Sequence, residues 1–153
     1  MLGILGGDDR CPIARSLDVL GEKWTLMIVR DALAGSTRFG QFQDSLGIPR
    51  EVLATRLASL VAGGVLERSA YKPEAGRTRE EYVLTDAGRD LALVLLAMGE
   101  WADRHRPAAE PASMRFVEAD SGEPLAPAAC AGDRLVARER IAVELLGRSG
   151  VAA

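Results

Sequence analysis

The sequence is poor in the side chains from which most metal and catalytic sites are built. Its 153 residues include one histidine, His105, and two cysteines, Cys11 and Cys130. No pair of histidine, cysteine and carboxylate residues has the spacing of metal ligands. No glycine-rich phosphate loop, nucleophile elbow or paired-carboxylate motif is present. We therefore expect neither an enzyme nor a bound metal or cofactor.

Long hydrophobic runs and disulfide patterns are also missing. The longest apolar stretch, Leu91–Met98, has eight residues, too few to span a bilayer. The opening residues MLGILGGDD lack the basic segment of a secretion signal. Two cysteines cannot form a disulfide framework. These absences predict a reduced, cytoplasmic protein without membrane contact.

The chain as a whole is acidic, but its central part is basic. The formal net charge is −3 at pH 7, which by itself disfavours nucleic-acid binding because phosphate contacts dominate DNA affinity. Positions 30–79, however, hold eight basic and five acidic residues. Such a charge asymmetry is typical of a DNA-binding face.

Two consecutive helical patterns lie within this basic centre. The first covers about Phe39–Leu46, with Ser36 or Thr37 as its expected cap. After a turn at Gly47, Pro49–Gly63 has an apolar stripe and an arginine-bearing polar face. This is helix-turn-helix spacing, although the second helix alone is also compatible with an ordinary amphipathic surface helix. Its predicted core-facing residues are Val52, Leu53, Leu57, Leu60 and Val61.

Helices are predicted before this pair, and a hairpin and a long helix after it. Two short helices precede it, one opened by Cys11-Pro12 and ended by Gly21, the other over Lys23–Ala34. Strand patterns at Val65–Tyr71 and Arg79–Leu84 flank a polar loop, which predicts a wing. A helix then runs from Thr85 to His105 and is apolar around much of its circumference. The simplest cover for it is the same helix of a second copy, which would supply two recognition helices to a palindromic site; a plain core helix is the alternative.

The chain is thus expected to have three parts. Residues 1–10 form an N-terminal arm, 11–105 the helical domain, and 106–153 a linker and C-terminal extension. The linker is indicated by its proline and alanine content. Short strands are predicted in the extension, but Val136–Leu146 is equally compatible with a helix.

One long stretch resembles a known family. Cys11–Leu26, CPIARSLDVLGEKWTL, is similar to the opening of the HxlR-type transcriptional regulators, which are related to the MarR group. Matching segments follow in order to about His105, including VLATRL in the recognition helix and EYVLTDAG after the wing. The resemblance implies a mainly α fold with a small β-hairpin wing (α+β). It also implies a long dimerisation helix and a homodimeric regulator of bacteria or archaea that binds double-stranded DNA.

The resemblance also assigns candidate DNA contacts. It places polar residues of the recognition helix in the major groove, where arginine pairs with guanine, and basic residues of the third helix and wing on phosphates. The wing loop adds a lysine by its position, although solvated loops often carry such residues. The candidate DNA-binding residues are Arg38, Arg50, Thr55, Arg56, Ser59, Lys72, Arg77 and Arg79.

Two kinds of signal are compatible with the sequence. Cysteines at the position of Cys11 sense oxidants or electrophiles in several family members, and a helix N-terminus favours the thiolate; a buried structural cysteine is the alternative. Aromatic and methionine residues of two helices predict a small-molecule pocket, or simply core. The rival functional class is a winged helix that contacts protein only and binds DNA without specificity. The candidate pocket residues are Trp24, Met27, Met98 and Trp101.

Overall fold

The computed structural model describes residues 11–72 and 77–144, so the predicted arm at 1–10 lies outside the described residues. The chain divides into two compact units, Met1–Gly99 and Glu100–Ala153, and each is described by itself. No described helix is both long and apolar enough to cross a bilayer. The elements are α1 (Pro12–Leu20), α2 (Lys23–Leu33), α3 (Phe39–Leu46), α4 (Arg50–Ala62), β1 (Leu66–Tyr71), β2 (Arg79–Leu84), α5 (Asp86–His105), β3 (Ala129–Ala131) and β4 (Arg134–Val136).

The core of the first unit lies where α2, α3, α4 and β1 meet. From α4, three leucines of the predicted stripe are fully buried, and its two valines pack against the core while half-buried. The apolar face predicted for this helix is therefore confirmed. The largest fully buried side chains are Phe42, Ile28, Ile48, Leu53, Leu57, Leu60, Leu66, Val29 and Thr25.

The turn between α3 and α4 has the predicted glycine. Gly47 adopts φ 59°, in the left-handed region, and its N–H bonds to the carbonyl of Gln43, a typical helix C-terminus. Pro49 is the residue before α4 rather than its first residue. The cap expected at the start of α3 was wrong: the Gln41 side chain reaches back to accept the Thr37 and Arg38 N–H groups at 3.0 and 2.9 Å.

The wing hairpin is antiparallel and joined firmly to the helices. Its register runs from Leu66 opposite Leu84 to Tyr71 opposite Arg79. At its base, the Thr85 hydroxyl donates to the Gly64 carbonyl at 2.6 Å and accepts the N–H of Gly88, which caps α5. The wing is thus bonded to both the end of α4 and the start of α5.

Helix α5 has both packed and exposed apolar residues. Leu91 and Leu95 pack against the core while half-buried, and Leu96 is only 9% exposed. Leu93 and Met98 are 72% and 47% exposed. The sequence left core packing and an uncovered apolar surface as alternatives for this helix; the structure has both, at different residues.

The second unit is built from tight turns with few packed side chains. A bridge between Val117 and Pro124 closes one turn, and β3 pairs with β4 to close another. Among its described residues none is buried. Two short strands are present in the extension. The described part of the alternative helix, Val136–Leu146, contains a 3-10 turn at Arg138–Arg140, and its last two residues lie outside the described residues.

Candidate nucleic-acid interface

The outer face of α4 presents two hydroxyl groups. Thr55 and Ser59 are exposed, and each hydroxyl donates to the carbonyl four residues earlier, at 2.9 and 3.0 Å. A hydroxyl has one proton but two lone pairs, so both oxygens still accept hydrogen bonds. This arrangement suits N–H donors on base edges and keeps both side chains in defined rotamers.

Two arginines, one just before α3 and one at the first position of α4, lie over aromatic rings. The guanidinium carbon of Arg50 is 4.8 Å from the ring centroid of Phe39, and that of Arg38 is 4.5 Å from the ring centroid of Tyr71. Both arginines are exposed, while both rings are half-buried. These distances are those of cation–π pairs.

Arg56 is placed differently from the other candidate arginines. Its side chain is only 26% exposed, and its Nη2 lies 3.1 Å from the carboxylate of Glu22. Its Nε is buried and has no hydrogen-bond partner among the described residues. Sequence reasoning missed Glu22, because nothing in the spacing of α4 indicates a carboxylate from the residue preceding α2.

A shallow pocket lies on the same side of α4 as this ion pair. Its volume is about 230 Å³, and its lining includes charged, hydroxyl and apolar side chains from one stretch of the helix. Such a depression offers a recess beside the exposed polar face rather than an enclosed ligand cavity. The lining residues are Glu51, Val52, Thr55 and Arg56.

The wing contributes three exposed cations. Lys72 and Arg77 flank residues 73–76, which lie outside the described residues, and Arg79 begins β2. Because Arg79 is the register partner of Tyr71, it lies in the same stretch of the wing as the ring under Arg38. The structure thus brings Arg38, Arg79 and the aromatic ring of Tyr71 to one end of the hairpin.

Cys11 stands immediately before α1. It is half-buried, its carbonyl accepts the N–H of Arg15 at 3.1 Å, and Pro12 is the first helical residue. Cys130, in β3, is exposed. The backbone position at a helix N-terminus agrees with the sequence interpretation, while thiol reactivity stays a prediction.

The four candidate pocket residues have separate surroundings. Trp24 packs against the core, and the sulfur of Met27 lies 3.9 Å from Nη1 of Arg30. Met98 is exposed, and the ring of Trp101, in the second unit, lies 5.6 Å from that of His105. These contacts do not test the pocket, which stays a prediction. In the described ranges, no three histidine, cysteine or acidic side chains form a candidate metal site.

Comparison with known proteins places this geometry in a family. The family model described as HxlR-like helix-turn-helix matches residues 19–110. An HTH-type transcriptional regulator of Mycobacterium tuberculosis is 40% identical over 111 residues, which cover 72% of this chain and 69% of the relative.

Two solved structures extend the comparison. PA1607, a candidate transcription factor, is 43% identical with a TM-score of 0.75 and covers 90% of this chain and 96% of its own. The reduced form of the redox regulator HypR is 32% identical with a TM-score of 0.57 and covers 63% of this chain and 94% of its own. Because the PA1607 match omits only a tenth of this chain, it includes most of the C-terminal extension.

The five helices and the β1–β2 wing agree with these winged helix-turn-helix structures. The matching family and relatives are transcriptional regulators rather than enzymes. The chain belongs to the HxlR-like helix-turn-helix family of DNA-binding transcriptional regulators.

Proposed function

We propose that the protein acts as a homodimer that recognises a palindromic DNA operator in the cytoplasm. In each copy, α4 would enter the major groove, and the wing would contact the adjacent backbone. The observation that carries this proposal is the exposed polar face of α4 on a helix whose opposite face packs into the core through three fully buried leucines. A helix held in this way presents its side chains to the groove without a change of fold.

Within this surface we assign base reading first to Arg50. It is exposed and makes no ion pair among the described residues, whereas Arg56 is half-buried against Glu22. Thr55 and Ser59 add acceptors on the same helix. The remaining candidates, Arg38, Lys72, Arg77 and Arg79, are assigned to phosphates because they lie on α3's edge and the wing.

Selection of bound duplexes from a random pool, followed by fluorescence anisotropy, tests this assignment. Arg50→Ala should cost roughly 1–3 kcal/mol on the selected site and relax base choice. Arg77→Ala should weaken all duplexes similarly and reduce the salt slope by about one. Arg134→Ala, an exposed arginine of the tail, is the matched control. If both test variants keep wild-type affinity and selectivity, the result would instead support the rival function, a winged helix that contacts protein only.

The homodimer is supported by the uncovered face of α5. Leu93, Val94 and Met98 are between 43% and 72% exposed, an apolar surface of the kind that marks an interface. Helix α1 has no buried residue and adds Ile13 and Leu17, which are 67% and 43% exposed. A second copy brings identical surfaces together about a two-fold axis.

Sedimentation equilibrium tests the dimer. Leu93→Glu places a charge in the proposed interface and should shift the protein to monomers and weaken operator binding. Leu125→Glu, at an apolar residue of the tail that is 47% exposed, is the control and should stay dimeric. Monomeric wild type, or a dimeric Leu93→Glu variant, would contradict this interface.

We further propose that oxidants or electrophiles act at Cys11. Its place at the start of α1 and the redox function named for the related HypR support this. Operator affinity should fall after diamide or quinone treatment in wild type and in Cys130→Ser, but not in Cys11→Ser. Equal loss in all three proteins would exclude Cys11. A small-molecule pocket at Trp24, Met27, Met98 and Trp101 remains the other proposal for a signal.

A further inference from the structure

The arginines of the proposed DNA surface are held in two chemically different ways. Arg38 and Arg50 lie over aromatic rings, while Arg56 donates to a carboxylate. Among the described residues, neither Arg38 nor Arg50 forms an ion pair or a side-chain hydrogen bond. The aromatic ring is thus the one side-chain partner found for each of these two cations in the described part of the chain.

The kind of partner determines whether the N–H donors and the charge of an arginine are still available to DNA. A guanidinium has five N–H donors, and an aromatic ring has no oxygen acceptor with which to pair them. A carboxylate partner, in contrast, takes donors and neutralises the charge. Arg38 and Arg50 therefore keep both donors and charge, whereas Arg56 has one nitrogen on Glu22 and its Nε buried.

The two rings belong to elements that are joined to each other. Phe39 is the first residue of α3 and packs against the core. Tyr71 is the last residue of β1. One hydrogen bond ties the two regions together, because the N–H of Tyr82 in β2 donates to the Thr37 carbonyl at 2.7 Å. Arg38 thus bridges the start of α3 and the wing, and Arg50 bridges α4 and the start of α3.

We propose that Tyr71 and Phe39 are positioning residues for DNA recognition. Tyr71 holds Arg38, and Phe39 holds Arg50, each with its N–H donors unpaired among the described residues. Immobilising a long side chain before binding reduces the conformational entropy lost in the complex. The inference rests on the proposed function, in which α4 and the wing face DNA, and adds two residues that are not themselves DNA contacts.

The test compares ring removal with ring conservation. Tyr71→Leu removes the aromatic face, and Tyr71→Phe keeps it while removing the hydroxyl. We expect Tyr71→Leu to weaken binding to the selected duplex by about two- to fivefold, the equivalent of an exposed cation–π pair. Tyr71→Phe should bind like wild type. Phe39→Leu and Phe39→Tyr form the corresponding pair for Arg50.

A double-mutant cycle separates positioning from other roles. If Tyr71 acts through Arg38, then Tyr71→Leu has no further effect on affinity in an Arg38→Met background. The same holds for Phe39→Leu in an Arg50→Met background. An unchanged loss in those backgrounds would overturn the proposal, as would wild-type affinity of both leucine variants. Loss in Tyr71→Phe equal to that in Tyr71→Leu would assign the effect to the hydroxyl and also overturn it.

A measurement without DNA keeps this inference distinct from the proposed function. A ring under the guanidinium shifts the Arg38 side-chain proton resonances upfield, and Tyr71→Leu should abolish that shift while Tyr71→Phe retains it. Unshifted Arg38 resonances in the wild type would refute positioning even if DNA binds. If the resonances are ring-shifted but the protein binds no duplex, then the arginine–ring contact exists and the proposed function in DNA recognition is wrong. The positioning role would then fail together with that function.

Discussion

The wing hairpin and the tail hairpin share antiparallel pairing but differ in what lies beneath them. Leu66 of the wing is 1% exposed and belongs to the core. Leu135, in β4 of the tail, is 71% exposed. Since a two-stranded hairpin alone is marginally stable at best, the wing gains its stability from the helices under it. The wing is therefore packed on the helices of its unit, whereas the tail hairpin contributes no buried residue.

The largest expected effect comes from removing the wing's buried leucine. Leu66→Ala deletes apolar contacts in the core and should lower the free energy of unfolding by about 2–5 kcal/mol. The matched Leu135→Ala should change it by about 0.5 kcal/mol or less, because that side chain is largely exposed. Urea unfolding at equal protein concentration measures both. Equal losses of unfolding free energy in the two variants would contradict the stated difference between the wing and the tail hairpin.

A smaller effect is expected at the base of the wing. A Cβ on Gly88 would lie 2.2 Å from the backbone carbonyl oxygen of Val65 and 2.8 Å from Leu84. Gly88→Ala must therefore push α5 away from the wing, at a cost of about 1–3 kcal/mol. A Cβ on Gly99, in the same helix, would have no neighbour within 4 Å among the described residues, so Gly99→Ala should stabilise by about 0.5–1 kcal/mol. Thermal unfolding measures both variants. A lower melting temperature for Gly88→Ala and a higher one for Gly99→Ala would agree with this packing.

The Thr85 hydroxyl provides a third and weaker link. It caps α5 and bonds to the Gly64 carbonyl, and Thr85→Ala should cost about 0.5–2 kcal/mol. Thr85→Ser retains the hydroxyl and should recover most of that loss. Hydrogen exchange of the β1 and β2 amides would locate the effect at the wing. Faster exchange confined to the tail would contradict the assigned link.

The smallest effect belongs to the tail and depends on pH. Backbone N–H groups of Asp120 and Ser121, together with the Ser121 side chain, lower the pKa of Glu118. Because the folded pKa lies below the unfolded value, this stabilisation is present above the ordinary glutamate pKa of about 4.3 and is lost as pH falls through the lowered pKa. NMR titration should show the Ser121 amide moving over this acidic range in wild type and staying still in Glu118→Gln.

The helix-turn-helix and wing were predictable because local patterns determine them. Glycines at positions 21, 47 and 63 mark helix ends, and the α4 leucines recur at helical spacing. Those leucines have only one way to be buried, so the exposed side of α4 followed from the sequence as well. The cap of α3 did not follow, because Arg38 rather than Ser36 or Thr37 precedes the helix, and the Gln41 side chain accepts the Thr37 and Arg38 N–H groups.

The sequence names candidate DNA contacts, which stay predictions, but it does not reveal how they are arranged. Arg50 and Arg56 look equivalent in the sequence of α4. Their difference arises from partners outside that helix, Phe39 for one and Glu22 for the other. No periodicity within α4 reveals these partners, because they reach it from α3 and from the residue preceding α2.

By itself, the sequence determined the order of the helices and strands, the buried side of α4 and the basic character of positions 30–79. These depend on spacing and residue type along one stretch of chain. Only the tertiary structure decided which arginines keep their donors free, which apolar residues of α5 are uncovered and which hairpin rests on a core. Each of these depends on contacts between distant segments, and burial and electrostatics act through space rather than along the chain.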